Sequence, residues 1–239
     1  MRIDPPYLQV EPWPDTDLTV TTRFRDAAGK VEFDLNSKQA DKEQFANNLG
    51  EVKQHMRLQS MAALNQVHGR RLVRVDEDNM HNLPEADGLY TTTPGLGLMI
   101  RQADCQAIAL YAPGLAANLH VGWRGNVQNL PGRALAKLCQ KFRLSPKMFQ
   151  AYISPSLGPC CAEFVNYEQE FPEEFRAFMI QPNYFNLWAI SAWQLISQGL
   201  MRSNLSISGI CTKCNHNFYS FRRGDEGRFA TIVALKEDK

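Results

Sequence analysis

Excess charge of either sign, long apolar runs, internal repeats and low-complexity tracts are all missing from this chain of 239 residues. Lys plus Arg number 26 against 25 Asp plus Glu, a net charge of +1, so bulk electrostatics gives no reason for a nucleic acid or an anionic membrane to bind. Any basic site must be local. No run approaches the ~18 apolar residues of a membrane span. The opening Met1-Arg2-Ile3-Asp4-Pro5-Pro6 lacks the apolar core of a secretion signal, and a cytoplasmic location is expected. Histidine is scarce, with five in the chain. Cysteine is better represented: six thiols in a chain of this size without an export signal point to metal binding or catalysis rather than to disulfides. The length suits one domain, 1–239, with a well-buried core.

What is present is strand-rich. Leu18 to Phe24 and Val31 to Leu35, joined by the polar turn Asp26 to Gly29, read as a hairpin. From Lys38 to Leu58 the apolar positions Phe45, Leu49, Val52 and Met56 share one helical face. Strands dominate from Ala62 to Val121, with breaks at Gly69, Asp87-Gly88 and Pro94-Gly95 that leave Arg71–Val75 and Gly97–Ile100 as strand-like pieces. Pro131 opens a second amphipathic helix with the stripe Leu135, Leu138, Cys139 and Phe142. Met148 to Ile153 reads as a strand, Tyr167 to Met179 and Ile190 to Met201 as helices, and Phe229 to Leu235 as a final strand. The fold class expected is α+β, a mixed β-sheet layered with helices on its faces.

The chemistry centres on Ala103 to Gly125. Ala107–Tyr111 and Ala116–Leu119 flank the turn Pro113-Gly114, so a hairpin brings Cys105 and His120 to one end. His68, after the strand-like run Ala62–Val67, can arrive at the same edge. Two imidazoles and a thiolate suit an open zinc site, although separations of 37 and 15 residues match no local zinc signature, and a buried cysteine with two ordinary histidines is the plainer alternative. Cys105 with His120 could instead form a nucleophilic Cys-His dyad. Asp104 and Asp87 could orient a ligand imidazole, activate water or simply form turns. Arg124 offers a forked donor for phosphate or for a structural ion pair. Arg222, Arg223 and Arg228 pose the same choice, with Asp225 and Glu226 as partners. Cys160-Cys161 with Cys211-x-x-Cys214 and His216 could hold a second metal, but adjacent cysteines seldom ligate one ion, and buried packing thiols are the favoured reading. His55 and His81 read as solvated. Phe218, Tyr219 and Phe221 alternate like a strand and read as core, with one ring available to stack on a base.

Asn65-Gln66-Val67-His68-Gly69, Ala86-Asp87-Gly88, Ala103-Asp104-Cys105 and His120-Val121-Gly122-Trp123-Arg124-Gly125 occur in that order. With Ser154–Glu163, Cys211-Thr212, Phe218–Arg223 and Gly227-Arg228, they make the chain resemble the YfiH family of laccase-domain, purine-nucleoside-phosphorylase-type proteins from Thr21 to Leu235. Gln106 and Val121 depart from its usual pattern, and its N-terminal motifs are not recognisable between Asn36 and Gln59.

The resemblance implies an αβ sandwich and zinc held by His68, Cys105 and His120. It also implies phosphorolysis of purine nucleosides and deamination of adenosine, with Cys105, His68, His120, Asp104 and Arg124 at the catalytic site and a purine nucleoside and phosphate as small-molecule partners. Relatives are linked to removal of a wrong serine from a peptidoglycan precursor, so a metal-dependent amidohydrolase is an alternative, as is a binding module without turnover. The older label of polyphenol oxidase fits the composition poorly, because multicopper centres need more imidazoles than five histidines furnish.

Overall fold

The computed structural model describes residues 2–11, 13–26, 28–29, 32–36, 42–82 and 84–237. Along the chain come β1 (Arg2–Asp4), β2 (Tyr7–Gln9), β3 (Thr16–Thr21), α1 (Lys42–Met56), β4 (Ser60–Ala63), β5 (Leu72–Arg74) and β6 (Gly88–Thr91). Then follow β7 (Leu96–Gln102), β8 (Gln106–Ala112), β9 (Leu115–Val121), α2 (Trp123–Val127), α3 (Leu130–Phe142) and β10 (Gln150–Ile153). The remainder holds α4 (Tyr167–Glu170), β11 (Met179–Gln181), β12 (Tyr184–Phe185), α5 (Leu187–Ser197), β13 (Leu205–Ile207) and β14 (Phe229–Leu235).

The α+β class holds, but the strands divide between two six-stranded sheets rather than forming one. Their orders are β1-β2-β3-β14-β7-β4 and β13-β10-β8-β9-β6-β5, with β11-β12 a separate small ribbon. Both large sheets are mixed: β4 runs parallel to β7, β5 to β6 and β13 to β10, while the other pairs are antiparallel. They face each other across a core that joins Leu98, Ile100 and Val233 of the first sheet to Ala107, Ala109 and Ala116 of the second.

Helices close the two outer faces. On the first sheet, Val52 and Met56 of α1 pack with Phe33, Met99 and Ile232, and Phe45 and Leu49 lean against them. This is the stripe that the spacing predicts; residues 38–41 of the expected helix lie outside the described residues. On the second sheet, Leu135 and Leu138 of α3 and Leu195 of α5 cover Ile108, Leu110 and Leu119. Strand alternation sends Ala116, Asn118 and His120 of β9 toward the first sheet and Ala117, Leu119 and Val121 toward α3. The buried Asn118 side chain donates from Nδ2 to the carbonyls of Leu98 and Thr231, both at 2.9 Å, and so bridges the sheets.

Several expected elements are different. Among the described residues the hairpin of Leu18–Phe24 with Val31–Leu35 is absent: β3 lies between β2 and β14, and only Phe24 bridges Glu32. Phe33 and Leu35 are fully buried beneath α1 instead, and Val31 lies outside the described residues. Tyr167–Met179 is not one helix, because Pro172 has no amide hydrogen to give and the residue before it is pushed to extended geometry; α4 ends at Glu170 and a short 3-10 segment covers Glu173–Phe178. The helix expected to reach Met201 stops at Ser197, ahead of Gly199 at φ 96°. The Phe218–Phe221 run is not a strand: Phe218 and Tyr219 are core, whereas Phe221 is 71% exposed.

Candidate metal centre

The β8–β9 hairpin forms as its sequence predicts, with Gly114 at φ 73° in the turn and Ala107 opposite His120. Cys105, just before β8, therefore lies at the same end as His120, at the edge of the inter-sheet core. His68 comes from a loop, since β4 ends at Ala63, and β4 belongs to the opposite sheet. Its backbone is left-handed, φ 58°, a conformation costly for a residue with a side chain.

Asp87 holds that loop in place. Fully buried, it accepts from the amides of Val67 (3.3 Å), His68 (2.9 Å) and Gly69 (2.6 Å), and its Oδ1 lies 2.8 Å from Nδ1 of His120. The carboxylate thus fixes the imidazole of one ligand and the backbone of another, leaving Nε2 of His120 to face the thiol. The three donor atoms of His68, Cys105 and His120 lie within 4.8 Å of one another, and Cys105 Sγ is 3.8 Å from His68 Nε2. Gly122 makes the approach possible: a Cβ there would sit 2.9 Å from Cys105 Sγ and 3.2 Å from His68 Cδ2. Two imidazoles and a thiolate suit a borderline-soft divalent ion and supply three of four tetrahedral donors.

The electrostatics point the same way. Burial would raise the Cys105 thiol, but the neighbouring His120 and His68 bring it down to about 6. Burial would lower His120, but the Cys105 thiolate and Asp87 bring it up to about 9. Between those values the metal-free pair stands as thiolate and imidazolium. Asp87 is held below the usual carboxylate range: burial opposes this, and His120 with the Gly69 and His68 amides overcomes it.

A cavity of about 610 Å³ opens above the three donors. Arg101, Arg124, Arg222 and Arg228 line it together with Trp123 and Phe164. Arg124 stacks over Trp123 at 4.1 Å and makes no ion pair among the described residues, so the ion-pair alternative is not what the structure has. Arg223 does take that role, paired with Asp225 and donating to the Thr212 and Lys213 carbonyls. Arg222 donates to the carbonyls of Cys161 and Glu163, and Arg228 to those of Glu226 and Gly227.

Asp104 lines the cavity without reaching an imidazole. Left-handed at φ 81°, it accepts from Thr212 Oγ1 (2.7 Å) and the Arg222 amide (2.6 Å), so of the two aspartates only Asp87 orients a ligand ring. Arg101 escaped sequence reasoning, since the expected strand stopped at Ile100; a lone charge after four apolar residues was the available signal. Gln106 was also missed as a lining residue, yet it is 1% exposed with no partner for Oε1 among the described residues.

Cys160, Cys161, Cys211 and Cys214 form a second cluster, their sulfurs all within 4.8 Å. The expectation of buried thiols holds for Cys211 and not for Cys160 and Cys214, which are exposed. His216 is not among the clustered ligands. His55 and His81 are both exposed, and the His55 ring stacks on Tyr7 at 3.6 Å.

Comparison with known proteins bears on the fold and the family. Among solved structures, the fold is similar to YlmD from Geobacillus stearothermophilus (TM-score 0.87, 22% identity, 99% of this chain and 98% of that one). It is equally similar to the hypothetical protein YfiH of Bacillus licheniformis (TM-score 0.85, 22% identity, 98% of each chain). In sequence, the chain is 34% identical over 189 residues to a purine nucleoside phosphorylase of Xylella fastidiosa, covering 71% of this chain and 70% of that protein. It is 28% identical over 203 residues to purine nucleoside phosphorylase YlmD of Geobacillus stearothermophilus, covering 76% and 74%. No described helix is long and apolar enough to cross a membrane. With residues 19–236 matching its family model, the chain belongs to the family described as multi-copper polyphenol oxidoreductase laccase.

Proposed function

We propose that residues 1–239 act as one domain, a zinc-dependent purine nucleoside enzyme that carries out phosphorolysis of adenosine- and inosine-type nucleosides and deaminates adenosine. One observation carries this reading: an N,N,S donor set at the base of a cavity lined by four guanidiniums and aromatic rings, in a chain whose curated relatives are named purine nucleoside phosphorylases. A zinc ion bound by His68, Cys105 and His120 would supply Lewis-acid polarisation of an oxygen nucleophile. Asp87 keeps the Nδ1 proton of His120 and so leaves Nε2 as donor. Arg124 and Arg228 present charge to an oxyanion, and Arg101, facing the same cavity, adds to the field. Trp123 and Phe164 offer apolar walls for a purine, with Phe221 exposed at the rim. The buried Gln106 Oε1 is an acceptor for a ring or exocyclic N–H.

The test supplies adenosine with and without phosphate and identifies products by mass. Adenine plus ribose 1-phosphate, and inosine without phosphate, are expected. Arg124→Ala or Arg228→Ala should raise the phosphate KM and leave deamination, which uses water, much less affected. Turnover of a nucleotide-linked muramoyl-serine with none of adenosine would overturn the reading, as would full activity in metal-free protein.

A further inference from the structure

The loop 154–163 and the turn 211–214 meet beside the cavity. Ser156 pairs with Cys211 in a parallel bridge, Ser156 N donates to Ile210 O at 3.2 Å, and Thr212 N donates to Ser156 O at 3.1 Å. That pairing places the adjacent cysteines 160 and 161 over the Cys211-x-x-Cys214 turn. Cys214 Sγ lies 3.4 Å from Cys161 Sγ and 3.6 Å from Cys160 Sγ, and all four sulfurs fall within 4.8 Å. A tetrahedral zinc with Zn–S of ~2.3 Å requires sulfur–sulfur separations of ~3.8 Å. The four thiols are close to that arrangement already.

We infer that Cys160, Cys161, Cys211 and Cys214 form a second, structural metal site, a closed tetrathiolate that binds a zinc-type ion and ties the loop 154–163 to the turn 211–214. Two features separate it from a set of packing thiols. Thiols kept for packing are buried, whereas Cys160 and Cys214 are exposed. The backbone is also built around the sulfurs: the amides of Gly158 and Cys214 are directed at Cys211, and a Cβ on Gly158 would lie 2.8 Å from Cys211 Cβ. The adjacency of Cys160 and Cys161 is accommodated by the turn that carries them, with Cys161 N donating to Gly158 O at 2.9 Å.

The site has a structural rather than catalytic character because four sulfurs fill a tetrahedron and leave no open position. Its effect on the cavity runs through three hydrogen bonds. Thr212, next to Cys211, donates to Asp104 beside Cys105, and Arg222 donates to the Cys161 carbonyl while its amide holds the other oxygen of Asp104. The inference is independent of the substrate proposed above.

The experiment counts metal. The protein, purified under reducing conditions and loaded with zinc, should hold two equivalents by elemental analysis. Cys214→Ser and Cys161→Ser should each retain one, and His68→Ala should also retain one. Loaded with cobalt(II), His68→Ala should show the intense thiolate-to-metal charge transfer of a four-sulfur site, a readout that does not rely on the cysteine variants folding. X-ray absorption at the zinc edge of His68→Ala should give four sulfurs. One equivalent in the wild type with none in His68→Ala would overturn the inference. So would a Cys161–Cys214 or Cys160–Cys214 disulfide in protein isolated anaerobically.

Discussion

Two clusters of soft ligands lie on either side of Asp104, and they are built on different principles. The His68, Cys105 and His120 set draws its donors from the β8–β9 hairpin and from a loop that leaves the opposite sheet, has a buried carboxylate behind it and faces a cavity. The Cys160, Cys161, Cys211 and Cys214 set draws all its donors from two loops and has no carboxylate among its ligands. The contrast shows in the thiols themselves. Imidazoles hold Cys105 down to about 6, whereas burial and the Cys211 and Cys214 sulfurs push Cys160 up to about 11. A thiol beside bases is ready before a metal arrives; Cys160, set among other thiols, depends on the metal to lose its proton.

Removing the carboxylate should break this contrast most severely. Asp87→Ala leaves three backbone amides and a buried imidazole without their acceptor, and breaking a buried charged pair of this kind costs about 3–5 kcal/mol. Denaturant unfolding should show that loss, with metal lost from the histidine site and retained among the cysteines.

Thiol reactivity sharpens the comparison at the next scale. In metal-free protein at pH 7, Cys105 is mostly thiolate, and its reaction with an aromatic disulfide should slow only as pH falls through about 6. Cys160 should keep accelerating toward about 11. At pH 7 the Cys105 rate should exceed that of Cys160 by roughly 30- to 100-fold, because the lower intrinsic nucleophilicity of the more acidic thiol offsets about half of the difference in ionisation. Mass mapping of the modified cysteines with time measures this, and equal rates would remove the contrast.

The smallest effect is steric. Gly122→Ala pushes a methyl against Cys105 and His68 and should weaken metal binding at that site by about tenfold, with no change at the cysteine cluster. Competition with a chromophoric chelator would resolve the two affinities.

How much of this was legible in the sequence depended on how local the cause was. The β8–β9 hairpin and the α1 and α3 stripes are written in short-range alternation, period and turn residues, and they appear as read. The division into two sheets is not local: β3 pairs with β14 across more than two hundred residues, and nothing near Leu18 announces Phe229–Leu235 as its partner. His68, Cys105 and His120 were identified by their residue types and motifs, but the reason they converge is a fully buried Asp87 gathering three amides, a role visible only once the loop is folded. The cysteine cluster is hard to read from spacing because adjacent cysteines seldom share an ion, and the turn that brings Cys160 and Cys161 over Cys214 is visible only in the folded chain. Pro172 was legible and was outweighed in the reading by the apolar period around it.

Asn118 has a consequence beyond its two hydrogen bonds. Apolar contact between sheets stacked face to face is non-directional, so it sets their spacing more strictly than their offset. A polar amide in the middle of such a layer removes that freedom. Shifted along β9, it would leave Nδ2 without the Leu98 and Thr231 carbonyls and buried in hydrocarbon. Asn118 therefore acts as an index pin between the sheets, and His120, two residues further on the same face of the strand, inherits its alignment. The ligand end of the hairpin is positioned against the opposite sheet, from whose edge the His68 loop departs, by the polymer itself before any ion binds.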